Sequence, residues 1–220
     1  MLAALLFDLD GTLSDTDPIH LRAWQDMLAP FGLSVDEEFY RTRFSGRRNP
    51  EIIQDLLPQL PDEQKAALAE DKEAHFRELA RGLLVPLAGA LELIDWAKRR
   101  QLACALVSNA PRPNVHFMLE VLQLQTVFDA VVLGDDLPHG KPDPLPYRVA
   151  LEQLGVHPRQ AIAFEDSPSG VRSAVGAAIP TVGITSTQSA EKLRELGVVL
   201  AVPDFCDQQL WALLVAAASG

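Results

Sequence analysis

Six short aliphatic runs punctuate the chain, and each stops abruptly at polar or turn-forming residues. Leu2 to Leu9 closes on Asp10-Gly11-Thr12, Leu102 to Val107 on Ser108-Asn109, Phe128 to Leu133 on Gly134-Asp135, and Ala161 to Phe164 on Glu165-Asp166. Thr181 to Ile184 runs into a Ser/Thr-rich turn, and Val198 to Val202 ends at Pro203. Continuous apolar runs of this length mark strands buried on both faces, where alternation with polar residues is not needed. Between them, apolar residues recur at helical spacing over 89–100, 112–123, 144–154, 168–177, 189–196 and 206–218. Strand alternating with helix predicts an α/β fold, a parallel sheet with helices on both faces.

The rhythm breaks between residues 15 and 82. No strand pattern appears there; helical patterns fall near 17–30, 36–43, 49–57 and 61–82. This predicts an all-helical insertion over 15–82, leaving 1–14 and 83–220 as the sheet domain. Pro61-Asp62-Glu63 reads as a helix start, with acids opposing the positive end of the dipole. Gly82 stands where a C-cap belongs, and Pro86 follows.

Composition narrows the function. With 48% apolar and 22% charged residues in 220, the chain can bury a core, which excludes a disordered tract. Nineteen basic residues face thirty acidic ones, a net charge of -11 that repels nucleic-acid phosphates and anionic membranes. Cys104 and Cys206 are far apart with no CxxC or Cys/His spacing, so buried free thiols are expected rather than a disulfide framework or a zinc site. The apolar start meets Asp8 and Asp10 too soon for a signal peptide or a membrane span. A cytoplasmic protein, a monomer or weak homodimer with neither nucleic acid nor membrane as partner, is the expectation.

In open parallel sheets, ligands bind beyond the carboxyl ends of the strands, so the residues closing these runs should share one crevice. Asp8 and Asp10 are two apart, which in extended backbone turns both carboxylates to one side. One could attack phosphorus while the other passes protons, although alone the string reads equally as a strand-ending turn. Glu165 and Asp166, with the Asp8 carboxylate and the Asp10 carbonyl, offer the hard oxygens Mg2+ takes. Alone, Glu165-Asp166-Ser167 reads more readily as a helix N-cap. Lys141, in Gly140-Lys141-Pro142-Asp143-Pro144, could meet phosphate and Asp8 together, or be a solvated loop lysine. The Ser108 hydroxyl and the amide that follows, at Asn109, could donate to a phosphoryl oxygen, though a serine after a strand is commonly a turn residue.

Taken in order, DxDGT, Ser-Asn, GKPDP and EDSxxG are a more specific set than any member. On these motifs the sequence resembles the haloacid dehalogenase superfamily, in particular its β-phosphoglucomutase-like branch, over essentially the whole chain. The resemblance implies a Rossmann-like core with a mobile helical cap at the insertion. It further implies Asp8 as nucleophile, Asp10 as acid/base, Ser108 and Lys141 as catalytic partners, and Mg2+ held by Asp8, Asp10 and Asp166 with Glu165 near or through water. Thr12 would contact the phosphoryl group or order its loop, and Gly170 would permit close approach at the next helix start. Asp10 implies hydrolysis rather than dehalogenation, because the superfamily's dehalogenases lack this second aspartate.

The same resemblance puts substrate choice in the insertion. Thr16 would sit at the hinge, and His20 would face the acid/base aspartate. Gly46, Arg47 and Arg48 of Phe44-Ser45-Gly46-Arg47-Arg48-Asn49 would lie on the substrate loop, where arginine forks suit anionic or hydroxylated groups. The loop departs from β-phosphoglucomutase, which has a lysine before the glycine and an arginine three residues after it; here those are Ser45 and Asn49. The expected activity is therefore a Mg2+-dependent phosphatase of small phosphorylated metabolites, with a phosphomutase and a catalytically idle binding protein as the rivals. The chain has no GxxxxGK[ST] loop for a triphosphate, which argues against a nucleotide kinase.

Overall fold

A computed structural model describes residues 1–44 and 47–219. In chain order it runs β1 (Ala4–Phe7), then helices α1 (Asp17–Leu28), α2 (Glu37–Arg43), α3 (Asn49–Leu56) and α4 (Asp62–Ala80). There follow α5 (Ala90–Arg99), β2 (Ala103–Ser108), α6 (Arg112–Val121), β3 (Ala130–Leu133), α7 (Leu145–Leu154), β4 (Ala161–Glu165) and α8 (Pro168–Gly176). The chain finishes with β5 (Thr181–Ile184), α9 (Ala190–Glu195), β6 (Leu200–Val202) and α10 (Gln208–Ser219). Two compact units result, Met1–Asp15 with Val85–Gly220, and Thr16–Leu84.

The first unit is a six-stranded sheet of order β3-β2-β1-β4-β5-β6, with every pairing parallel. This is the Rossmann-like α/β architecture, and its central strands are buried on both faces, as continuous aliphatic runs require. Side chains alternate across it. Ala4, Leu6, Ala105, Val107, Ala161 and Ala163 pack with Tyr147, Ala150 and Leu151 of α7 and Ala174 of α8. Phe7 stacks on Phe164 at 5.0 Å between ring centroids, and Phe205 closes edge-on against Phe164 at 5.3 Å.

Strand order reverses at β1. The chain builds outward through β2 and β3, then returns to lay β4 on the other side of β1, with Phe7 opposite Phe164. Residues 8 and 165 therefore leave neighbouring strands at one level, at the switch point where such sheets hold ligands. The strands are shorter than the apolar runs, since ladder pairing stops at Phe7 and begins only at Ala130.

The second unit is all helical. Trp24, Leu28, Val35, Tyr40, Phe44, Ile52, Ile53, Leu57 and Leu68 form its core. Asp62 and Glu63 occupy the first turn of α4, and Gly82 follows that helix with φ of 78°. No helix among the described residues is long and apolar enough to cross a membrane. Cys104 is buried as expected, whereas Cys206 is exposed, because it lies in the loop before α10 rather than in an apolar run.

Candidate active site

The loop after β1 turns at once. Asp8 N–H still bonds the Phe164 carbonyl at 3.0 Å, but Leu9 then accepts from the amides of both Thr12 and Leu13, and Gly11 N–H meets the Ser14 carbonyl. Asp8 and Asp10 are thus presented by a turn rather than by an extended strand. Gly11 has φ of 78°, a conformation glycine takes without strain.

Three carboxylates converge at the ends of β1 and β4. Oxygens of Asp8, Glu165 and Asp166 lie within 4.8 Å of one another, all buried. The Asp10 side chain stands outside that group, although its charge acts on Asp8. Lys141 Nζ donates to Asp8 Oδ1 at 2.6 Å and to Glu165 Oε1 at 2.5 Å. Tyr147, from the inner face of α7, donates its hydroxyl to the same Glu165 oxygen at 2.6 Å.

Burial dominates the electrostatics. It raises the Asp8 carboxyl above the usual range against the pull of Lys141, with Asp10 raising it further. It lifts Glu165 to about 7, again against Lys141 and with Asp8 adding to the rise. Burial works against the lysine's charge as well, but the two carboxylates outweigh it and hold the ammonium above the ordinary lysine range. The Tyr147 hydroxyl is pushed well up by burial and then by Glu165, so it stays a donor.

Three buried carboxyl groups share one ammonium, and Glu165 Oε2 is buried with no hydrogen-bond partner. An all-oxygen, anionic donor set of this kind suits a hard divalent cation such as Mg2+. The residues fit the metal that the motifs imply.

The remaining side chains brace this cluster. Thr12 is fully buried and donates to Asp166 Oδ1 at 3.1 Å. Ser108, also buried, accepts from Ala110 N–H at 2.9 Å, which leaves its own proton available to an acceptor. The Asn109 amide is engaged at both ends by Lys141, giving its N–H to the Lys141 carbonyl at 2.9 Å and accepting from Lys141 N–H at 3.0 Å. Any side chain at Gly134 or Gly140 would collide with Asn109 Oδ1, so two glycines make the slot that admits it. Gly170 does the same for Glu165, whose carboxylate occupies the space a Cβ there would need. Ser167 caps α8 by accepting from Gly170 N–H at 3.1 Å.

The helical unit carries its own polar cluster. His20 stacks on Phe76 with centroids 3.9 Å apart, and its Nδ1 lies 2.8 Å from Lys72 Nζ. Lys72 is buried, bonds Glu73 at 2.9 Å, and sits over the Trp24 ring; Asn49 donates to the same Glu73 carboxylate. Arg47 pairs with Asp55 at 2.7 Å, and Arg48 with Glu51 at 3.1 Å. Gly46 lies outside the described residues.

Sequence reasoning passed over Tyr147, Thr187, Lys72 and Glu73. Thr187 Oγ1, in the Ser/Thr-rich turn after β5, lies 2.8 Å from Asp166 Oδ2, and the strand-end rule applied to β5 would have found it. Lys72 stands between Leu68 and Phe76 at helical spacing, a lysine on a buried stripe, which was the available signal.

The chain is similar to known proteins over most of its length. A family model described as haloacid dehalogenase-like hydrolase matches residues 5–184. The chain is 32% identical over 200 residues to validoxylamine A 7'-phosphate phosphatase of Streptomyces hygroscopicus subsp. limoneus, covering 91% of this chain and 93% of that protein. It is also 32% identical over 208 residues to a phosphorylated carbohydrates phosphatase of Thermotoga maritima, covering 91% and 94%. Among solved structures, CbbY of Rhodobacter sphaeroides in complex with phosphate superposes with a TM-score of 0.84 at 30% identity, covering 94% of this chain and 96% of that one.

Proposed function

The chain belongs to the haloacid dehalogenase-like hydrolases, and from that membership we propose a Mg2+-dependent phosphatase of small phosphorylated metabolites, sugar phosphates foremost, acting through an aspartyl phosphate on Asp8. The observation that carries this reading is the buried Lys141 ammonium joining the Asp8 carboxylate after β1 to that of Glu165 at the end of β4, with Asp166 alongside. The Thermotoga maritima relative named for phosphorylated carbohydrates supports the substrate class.

Each side chain has a task in that chemistry. Asp8, Glu165 and Asp166, with the Asp10 carbonyl, would hold Mg2+, which when bound offsets the repulsion between a phosphoryl group and a carboxylate nucleophile. Lys141 fixes Asp8 Oδ1 and keeps a positive charge beside the attacking group. The Asp8 oxygen forms a bond to phosphorus as the bond to the leaving oxygen breaks, and Asp10 supplies the proton that oxygen needs. Asp10 then takes a proton from the water that attacks the acyl phosphate, releasing inorganic phosphate and restoring Asp8. The Ser108 hydroxyl donates to a non-bridging oxygen throughout.

The helical unit is assigned as the cap that selects substrate, through His20 and the arginine loop. A phosphatase is preferred to a mutase because the two positions at which β-phosphoglucomutase carries a lysine and an arginine hold Ser45 and Asn49 here.

The test is phosphate release from a panel of phosphorylated metabolites with and without Mg2+. Sugar phosphates should be hydrolysed only with the metal, and Asp8→Asn should lower the rate at least about 10³-fold. Substantial turnover by that variant, or glucose 6-phosphate formed from glucose 1-phosphate without stoichiometric inorganic phosphate, would overturn the assignment.

A further inference from the structure

The loop after β5 contributes two hydroxyls that the proposed chemistry leaves unused. Ser186 Oγ donates to the Gly11 carbonyl, and Thr187 Oγ1 lies 2.8 Å from Asp166 Oδ2 and 2.9 Å from the Asp166 carbonyl. β5 neighbours β4 and not β1, so this loop has to pass over the end of β4 to reach Gly11. It ties the first and fourth motifs together from a third strand.

The Asp166 carboxylate is thereby clasped from two sides. Thr12, in the loop after β1, donates to Oδ1, and Thr187, in the loop after β5, reaches Oδ2. Both threonines are buried, and Asp166 is 2% exposed. Gly11 packs onto the same carboxylate: a Cβ there would run into Asp166 and come within 3.0 Å of Thr187 Cγ2. With Thr12 donating to one oxygen, the single Thr187 proton shared between the other and the Asp166 main-chain carbonyl, and a backbone wall beside it, the plane of the carboxylate is set before an ion arrives. Small cations such as Mg2+ demand near-ideal geometry, so a ligand held in this way lowers the cost of binding.

We infer that Thr187 is a positioning residue for Asp166, an inference that rests on the proposed role of Asp166 as a divalent-cation ligand. The Thr187 hydroxyl orients the carboxylate, and Ser186 anchors the loop that delivers it.

The experiment is Mn2+ binding to the full chain without substrate, followed by electron paramagnetic resonance, with Mn2+ standing in for Mg2+. Thr187→Val keeps the shape and removes the donor, whereas Thr187→Ser keeps the donor and removes the methyl group. Thr187→Val should weaken Mn2+ binding about 10- to 100-fold while Thr187→Ser stays near wild type. The Mg2+ concentration giving half-maximal phosphate release should rise in parallel in Thr187→Val, with the KM for the phosphoester unmoved. Wild-type Mn2+ affinity in Thr187→Val, or equal weakening in Thr187→Ser, would overturn the inference and leave the metal site standing. Absence of Mn2+ binding by the wild type, or binding indifferent to Asp166→Asn, would overturn the metal site and this inference together.

Discussion

Lys141 decides whether the buried charge at the strand ends is tolerable. Its side chain is 3% exposed and answers two carboxylates at 2.5 and 2.6 Å, so removing it leaves the fully buried Glu165 and the largely buried Asp8 without their cation. Breaking one side of a buried ionic cluster costs about 3–5 kcal/mol, mostly as desolvation that nothing then repays. Lys141→Met should lower the unfolding free energy of the metal-free protein by that order in urea denaturation; unchanged stability would contradict the pairing. Lys141, Asp8, Glu165 and Asp166 were legible in the sequence only as a set, because each alone reads as a turn, a helix cap or a loop lysine and the ordered combination of motifs singled them out. Tyr147 was not legible, since it falls on the apolar face of α7 with Ala150 and Leu151, and its hydroxyl partner lies eighteen residues away on another element. Asn109 was legible as a strand-end residue. Its use as a brace on the Lys141 main chain depends on a fold-back that one sequence does not display.

Elements were easier to foresee than their ends. The runs closing at Leu9 and beginning at Phe128 exceed β1 and β3, because apolar character extends wherever the core does, whereas a strand lasts only as long as its neighbour pairs with it. In the helical unit the pattern of α4 marked a helix without revealing that Lys72 and Glu73 are buried on it. Glu73 carries a pH signature. Burial works to raise its carboxyl, but the Lys72 ammonium, then the His20 ring and the Asn49 amide, bring it down to about 2 from an ordinary 4.5. A depressed carboxyl stabilises the fold fully above its unfolded pKa, and that contribution fades as pH falls through the folded value. Relative to Glu73→Gln, the wild type should therefore lose unfolding free energy progressively between about pH 4.5 and 2. A constant difference across the acid range would mean that the cluster does not hold the charge.

For the molecule as a whole, topology explains why residues from distant motifs belong to one site. A parallel sheet whose order reverses at β1 delivers the ends of β1 and β4 side by side, and the same rule, read from the sequence, placed the candidate chemistry there. The chain's net charge of -11 would repel a phosphate ester at long range, so the proposed attack by a carboxylate would depend on local positive charge from Lys141 and a divalent ion. The most direct measurement is a rapid acid quench of the Mg2+-loaded enzyme during turnover of a ³²P-labelled sugar phosphate, followed by peptide mapping. Transient, hydroxylamine-labile label on the peptide containing Asp8, lost in Asp8→Asn, is the predicted result. Full phosphate release with no protein-bound label at any time point, or label on Ser108 instead, would contradict it.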